Sequence, residues 1–395
     1  MKKKLIGDII SVCLFVLAMS ALFAGHIKSV IEPDRASSVL ESRKLMQYEE
    51  PTESSLRDGS WMRQYETYLQ DQFSCRDESL QQYFLILDSL KVIERNNMVH
   101  GLDDAILSVP VIYQGLYSEA SNAQYAERRV NTTKLLKDVC TETGANLISL
   151  QIPHKNHFFA DKYPKYYEYN AEAQTDRQNF FNAKLREAGV DLLDVSDIME
   201  EHREENIYLL TDNHYSFRGA YYTYLALLDH LRTNYDEMLF YPAWEDCEHT
   251  IVFNHFSGNY LRSFGDSGLN NADYLEYIIP HDMPEYTRYE NGEPSDLKLL
   301  NPNVTNYSIF MCGDRANTVI KTDREELPNI LFIGYSYSNP LEYMAVYSFN
   351  EMHSLDTRHY EGSVTEYIRT HNLDYVVLIR DDIYEGNSQN KSTFN

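Results

Sequence analysis

Two short runs of the chain hold the residue types that acyl transfer needs: an acid, a base and a nucleophile. The first is Thr211-Asp212-Asn213-His214-Tyr215-Ser216-Phe217-Arg218-Gly219-Ala220. A carboxylate two residues from an imidazole can orient the ring and stabilise its charged form, provided the loop bends both side chains together. The second is Gly334-Tyr335-Ser336-Tyr337-Ser338, far downstream and directly after the apolar segment Asn329 to Ile333. Ser336 falls on the turn that leaves this strand, close to a helix start, where unbonded N–H groups and the helix dipole favour an oxyanion. Ordinary turn chemistry places serines and Asx turns in the same way, so neither run decides the matter alone.

Other chemistries fit less well. His154 and His157 can be drawn around a divalent ion with Asp212 and His214. No pair has ligand spacing on a helix, however, and Lys155 stands between the two histidines, so no metal is expected. The Gly-rich phosphate loop and the dinucleotide fingerprint are both missing, and no cofactor is expected. Glycosidase chemistry needs one pair of carboxylates, and 60 acidic residues offer no way to select it. The five cysteines, Cys13, Cys75, Cys140, Cys247 and Cys312, form no CxxC pair, which disfavours a cysteine-built zinc or redox site.

The elements that must position the two runs are legible around them. Leu209-Leu210-Thr211 ends a short apolar segment, and Ser216 is suited to cap a helix starting near Phe217. Ala220, Tyr224, Leu227, Leu228 and Leu231 of that helix point to a core. Pro340 suits the first turn of a helix capped by Ser338 or Asn339. Helices are expected at about 122–141, 173–187, 340–350 and 363–371, and strands at Ala145 to Ile152, Val190 to Val195, Met352 to Leu355 and Tyr375 to Ile379. This alternation predicts an α/β domain over 96–385 whose mostly parallel sheet is covered by helices on both faces. Ligands bind outside the carboxyl ends of such strands. Residues 240–325, rich in Asn, Asp, Gly and Pro, are expected to be an insertion of loops and short strands, and 386–395 a flexible polar tail.

The first 95 residues read differently. Lys2, Lys3 and Lys4 precede a run from Leu5 to Gly25 that is apolar apart from Asp8 and a few small residues, roughly the length that spans a bilayer. The lysines place the N-terminus in the cytoplasm and the main domain outside, with 1–29 as a signal-anchor in the cell membrane. A cleaved signal peptide is the rival, with Ala18-Met19-Ser20 as its cleavage site, although the apolar run continues through Leu22 and Phe23. Residues 30–95 are expected to form a linker and a helical arm. Trp61, Tyr65 and Leu69 recur at a four-residue spacing in its first helix, and Leu80, Phe84, Leu87 and Leu90 lie on one side of its second. The 395 residues are 43% hydrophobic, enough for a sizeable core, and a net charge of −25 argues against nucleic acid and anionic polymers as partners.

The run Leu210 to Ala220 resembles the Asp-x-His-Trp signature of the DHHW family and of the related alginate O-acetylation proteins, which are SGNH-hydrolase-like. Glu41 to Leu45, Leu56 to Gly59, Tyr68 to Phe73 and Arg76-Asp77 follow the membrane-proximal pattern of that family in order. Gly334 to Ser338 is similar to its Gly-Asp-Ser block, and Asp356-Thr357-Arg358-His359-Tyr360 to its Asp-x-Arg-x-Tyr block. The resemblance implies an SGNH-hydrolase-like three-layer α/β/α fold, with Ser336 as nucleophile, His214 as general base and Asp212 as its orienting partner. It implies O-acetyl transfer to a cell-envelope or secreted polysaccharide, with a membrane-bound O-acyltransferase as donor partner. Tyr215, Asn259 and Tyr337 are the expected substrate or oxyanion contacts. Tyr335 replaces the family's Asp before the serine, and Tyr215 its Trp after the histidine. An acetyl esterase or deacetylase on the same triad, or a non-catalytic envelope scaffold that binds glycan, are the alternatives.

Overall fold

The computed structural model describes residues 2–38, 40, 43–110, 119–167, 171–254, 256–265, 273–304, 306–381 and 393–394. The chain forms two compact units, Met1–Asn97 with Leu261–Leu269, and Met98–Tyr260 with Asn270–Asn395.

The first unit is helical. Its α1 (Lys2–Ile31) contains the stretch Ile6–Ser29, long and apolar enough to cross a membrane, a property that signal sequences share. Shorter helices follow, among them α2 (Ser60–Asp71) and α3 (Arg76–Ser89). The turn between them grips the end of α1. The Ser74 N–H donates to Ser29 Oγ (2.9 Å), Ser74 Oγ to Glu32 (3.0 Å), and the Phe73 ring lies so close to Gly25 that a Cβ there would meet it at 2.5 Å. Of the apolar positions expected on one side of α3, Phe84 is buried and Leu80 and Leu87 are half-buried. Leu90 is 67% exposed, because the helix stops one residue before it.

The second unit is an SGNH-like α/β fold. Its sheet has eight strands: β1 (Asn146–Ile152), β2 (Asp191–Asp194), β5 (Thr287–Glu290), β6 (Glu293–Pro294), β7 (Asn317–Lys321), β8 (Ile330–Gly334), β9 (Glu351–Asp356) and β10 (Tyr375–Asp381). Between β2 and β5 in the chain, β3 (Cys247–Asn254) and β4 (Tyr274–Pro280) make a separate antiparallel hairpin. The order across the main sheet is β6-β5-β7-β9-β8-β10-β1-β2. The run from β9 to β2 is parallel, while β7, β5 and β6 extend it antiparallel. The stretch 240–325, expected as an insertion, therefore supplies three strands of the main sheet. The tail expected over 386–395 lies outside the described residues except for Thr393 and Phe394, and Thr393 bridges to Ser363.

Side-chain alternation along the buried strands builds the layers. Ile330 and Phe332 of β8 face one core, shared with Leu227 and Leu231 of α6 (Phe217–Tyr235) and with Leu341 and Met344 of α7 (Asn339–Ser348). Leu331 and Ile333 face the other, shared with Leu136 and Val139 of α4 (Glu119–Thr143) and with Val364 and Ile368 of α8 (Val364–Thr370). Outside α4, α5 (Ala171–Glu187) adds a small cluster from Phe181 and Leu185 with Val190.

A carboxyl group is buried within this framework. Glu342, in the first turn of α7, is 3% exposed and accepts from Ser338 Oγ and Ser354 Oγ, both at 2.6 Å. Burial pushes its pKa up from 4.5 to about 7; the two serine hydrogen bonds oppose that rise, and Asp356 and Asp314 add to it. Because the folded-state pKa is raised, Glu342 supports folding while neutral. That contribution is complete below pH 4.5 and is lost as the pH climbs through about 7. Glu342→Gln should flatten this slope, shrinking the fall in unfolding free energy between about pH 5 and about pH 8 by on the order of 2 kcal/mol. Urea denaturation at the two pH values checks it.

Candidate active site

The turn after β8 is short and tightly determined. The Ser338 N–H donates to the Tyr335 carbonyl (2.7 Å), and α7 starts immediately, with Ser338 at its N-cap and Pro340 in its first turn. The Ser338 hydroxyl does not cap the helix, because it is engaged with Glu342 and with the Tyr335 carbonyl. Within Gly334 to Ser338, Ser336 alone is half-exposed, and its four neighbours are buried. The chain thus presents one hydroxyl at the carboxyl edge of the sheet.

The loop before α6 is closed at its base. Tyr208 bridges to Tyr215, the Leu209 N–H donates to the His214 carbonyl (3.3 Å), and the Ser216 N–H to the Ile207 carbonyl (2.9 Å). Ser216 then caps α6 by accepting from the Gly219 N–H at 3.2 Å. Asp212 and His214 project from this loop onto the same side. His214 Nδ1 is 2.5 Å from Asp212 Oδ1, and His214 Nε2 is 2.7 Å from Ser336 Oγ. The three residues form one continuous hydrogen-bonded chain between segments far apart in sequence.

Asp212 is 2% exposed, and burial alone would raise its pKa. The charge and hydrogen bond of His214, with the N–H groups of Asn259 (2.8 Å) and His214 (3.2 Å), instead hold it down at about 2. The carboxylate is ionised and fully engaged, the state in which it can steady an imidazolium.

The other expected contacts take different places. Tyr215 has no exposed surface, and its hydroxyl donates to the Tyr337 carbonyl. Tyr337 is 1% exposed, and its hydroxyl donates to the Asn213 carbonyl at 2.5 Å. Burial removes both from the role of substrate contact; they tie the two runs together from beneath. Asn259 is exposed, but its N–H is spent on Asp212, and its side-chain amide donates to Asn213 Oδ1 (2.5 Å).

Two participants were not singled out for the site from the sequence. Tyr307 stacks on the His214 ring at 3.9 Å between centroids and 5° between planes, which fixes the imidazole in a second direction. It lies in an aperiodic Asn-rich stretch that gives no signal. Lys155 entered the sequence reading only as an objection to a metal site. It is fully buried just past the end of β1, and its Nζ lies 2.8, 2.7 and 2.7 Å from the carbonyls of Ile106, Leu210 and Asp212. Three acceptors need three N–H donors, which only the ammonium form has. Burial pulls its pKa down to about 7 against the opposing charges of Asp273 and Asp212. Asp273 in turn accepts from the Thr211 N–H at 2.8 Å.

His154 and His157 do not join this site. His154 Nδ1 accepts from the Asn156 N–H (3.1 Å), and His157 pairs with Thr175 (3.1 Å). Asp314, Asp356 and His359 lie close enough together to share an ion, but the Arg358 guanidinium already bridges the two carboxylates, at 2.7 Å from Asp314 and 2.9 Å from Asp356.

Lys155→Met should destabilise the fold by on the order of 3–5 kcal/mol, since it strands three carbonyls and leaves the buried carboxylates uncompensated. Urea denaturation measures the loss, and a cost near zero would contradict the clamp.

Residues 113–266, which carry Asp212 and His214 but not Ser336, match the family of the SGNH hydrolase-like domain of the acetyltransferase AlgX. A DHHW family protein from Eubacterium siraeum superposes with a TM-score of 0.61 at 19% identity, over 75% of this chain and 95% of that one. Bacillus cereus PatB1, also solved with a sulfonyl adduct, superposes with a TM-score of 0.58 at 18% identity, over 74% of this chain and 98% of its own. No curated protein sequence matches the chain significantly. The chain is therefore similar in sequence to the AlgX acetyltransferase domain over 113–266, and it shares the SGNH-like fold of a DHHW family protein and of PatB1.

Proposed function

We propose that this chain is a membrane-anchored, extracytoplasmic O-acetyltransferase of the SGNH-like type, acting on a cell-envelope or secreted polysaccharide. The observation that carries the reading is the 2.7 Å contact between His214 Nε2 and Ser336 Oγ, with Asp212 behind the ring at 2.5 Å. In this reading α1 is the anchor, the rest of the first unit is the arm, and a membrane-bound O-acyltransferase delivers the acetyl group.

Ser336 Oγ attacks the acetyl carbonyl while its proton passes to His214 Nε2. Asp212, held ionised at a pKa of about 2, stabilises the imidazolium. The Ser336 N–H, at the start of the turn into α7, is one donor for the oxyanion, and the side-chain amide of Asn259 is the candidate for another. Collapse expels the donor's leaving group, which takes the proton from His214, and leaves an acetyl ester on Ser336. An acceptor hydroxyl then gives its proton to His214 and attacks the ester; collapse breaks the bond to Ser336 Oγ, which takes the proton back from His214, and yields the acetylated sugar. Water in place of the sugar gives hydrolysis.

The full chain in detergent should turn over 4-nitrophenyl acetate, and Ser336→Ala or His214→Ala should each lower the rate by about 10³-fold or more. Equal rates in wild type and both variants would falsify the triad. A sulfonyl fluoride should label the wild type once at Ser336, seen by peptide mass, and should leave Ser336→Ala unlabelled.

Gly258→Ala tests the support of Asp212. A Cβ at Gly258 would meet Asp212 Cβ and the Thr211 carbonyl, both at 2.5 Å. The loop must shift, so turnover should fall by about 10²-fold with Ser336 still in place. Steady-state kinetics on the same ester gives the answer.

A further inference from the structure

The turn that presents Ser336 is closed at a single acceptor. The Tyr335 carbonyl accepts from the Ser338 N–H at 2.7 Å and lies 2.8 Å from the Ser338 hydroxyl, so one residue can span Ser336 and Tyr337 with two bonds. The same hydroxyl lies 2.6 Å from Glu342 Oε1, and Ser354 Oγ reaches that oxygen from β9, also at 2.6 Å. Ser338, Glu342 and Ser354 are all buried.

A count of hydrogens separates two states of this cluster. A serine hydroxyl has one hydrogen to donate. With Glu342 ionised, both serine hydroxyls turn to Oε1, and the Tyr335 carbonyl keeps only the Ser338 N–H. With Glu342 neutral, its own hydrogen passes from Oε1 to Ser338 Oγ. The Ser338 hydroxyl then turns to the Tyr335 carbonyl, while Ser354 still donates to Oε1. Only the neutral acid fills all three contacts at once. Its hydrogen sets the direction of the Ser338 hydroxyl, and that hydroxyl supplies the second bond across Ser336.

The groups facing Glu342 favour the neutral form near pH 7. Burial pushes the carboxyl up to about 7, with Asp356 of β9 and Asp314 of the loop before β7 adding to the rise and the two serines opposing it. Arg358 pairs with those two aspartates, at 2.9 Å and 2.7 Å. Arg315 and Tyr335 line the small cavity beside Glu342. Tyr215 faces it from the loop before α6, and burial together with the charge of Glu342 keeps that hydroxyl protonated well above pH 10.

We propose that Glu342 is a positioning residue for Ser336, its carboxyl hydrogen locking the nucleophile turn through Ser338 Oγ. Ionisation swings the Ser338 hydroxyl from the Tyr335 carbonyl to Glu342, which slackens the turn and moves Ser336 out of line with His214. This role rests on the reading of Ser336 as the acetyl carrier and adds a protonation requirement to it. The active form holds Glu342 neutral, so turnover falls as the pH rises through about 7.

The test measures kcat/KM for 4-nitrophenyl acetate on the full chain in detergent, at about pH 6 and about pH 9, read at the isosbestic wavelength of the product. The readout is the ratio of variant to wild type at each pH. In Glu342→Gln the side-chain amide donates to Ser338 and cannot ionise, so the ratio should rise about ten-fold from the lower pH to the higher. In Ser338→Ala no hydroxyl is left to be redirected, and the ratio should rise likewise. A decline common to both chains, such as one from loss of the Lys155 ammonium, cancels in the ratio. Circular dichroism at both pH values establishes that each chain compared is folded, and Ser338→Ala carries the test if Glu342→Gln does not fold. A role in stability alone would lower the rate by the same factor at both pH values. A flat ratio in either folded variant therefore overturns the role of Glu342 while the Ser336 reading stands. Ester hydrolysis that survives Ser336→Ala overturns that reading instead.

Discussion

A buried ammonium group holds the loop on which the candidate site depends. Backbone carbonyls at the end of an apolar segment need donors. Lys155 reaches in from the end of β1 and satisfies the carbonyls of Ile106, Leu210 and Asp212 at once. From the other side the Thr211 N–H is held by Asp273, and Thr211 Oγ1 accepts from the Gly258 N–H at 2.9 Å. The segment carrying Asp212 is therefore fixed by side chains and N–H groups from three separate stretches. Burying the ammonium carries a desolvation cost, which its three carbonyl acceptors and the charges of Asp273 and Asp212 offset. What the ammonium adds is geometry.

The sheet provides the matching constraint for the hydroxyl. β8 has a parallel partner on each side, and both of its faces are buried, so the position of Gly334 is set from four directions. The turn that follows has little freedom before α7 begins. Tyr215 and Tyr337 then connect loop and turn by hydrogen bonds to backbone carbonyls, so neither can shift without breaking a buried bond. The 2.7 Å contact between His214 and Ser336 is the consequence of two rigid supports and a pair of tyrosine struts.

Much of this was legible in the sequence because periodicity reports burial. The strands at Asn146–Ile152, Ile330–Gly334 and Tyr375–Asp381 are rich in apolar residues, and they differ from their expected limits by one or two residues. The caps Ser216 and Ser338 were legible for the same local reason, although only Ser216 caps with its side chain. The antiparallel extension of the sheet was not. β5 and β6 are short and only partly buried, and although β7 carries the strand formers Thr318, Val319 and Ile320, it too lies in a stretch rich in Asn, Asp, Gly and Pro, which masks the signal. Pairing across distance also decided Tyr215 and Tyr337. Their amphipathic character fits a surface contact or an internal strut equally well, and only the fold selects the strut. Lys155 illustrates the converse. Lysine after a buried strand reads as a solvent-facing end, and nothing local shows that three carbonyls wait for it.

The replacement of the Gly-Asp-Ser aspartate by Tyr335 fits the electrostatics behind the turn. Tyr335 is buried beside a small cavity whose lining includes Ser338, Glu342 and Asp356. Glu342 is already pushed to about 7 there, with Asp356 and Asp314 among the causes, and Arg358 is committed to those two aspartates. A further carboxylate at position 335 would add like charge beside Glu342, Asp356 and Asp314 and would push Glu342 higher still. Tyrosine fills the volume without a charge, and the Arg358 guanidinium lies 5.7 Å from the centre of its ring. The turn that carries Ser336 is thus flanked by an uncharged aromatic and by a glutamic acid whose pKa burial pushes up to about 7. Electrostatic guidance of the histidine is left to Asp212 alone, on the opposite side of the imidazole from Ser336.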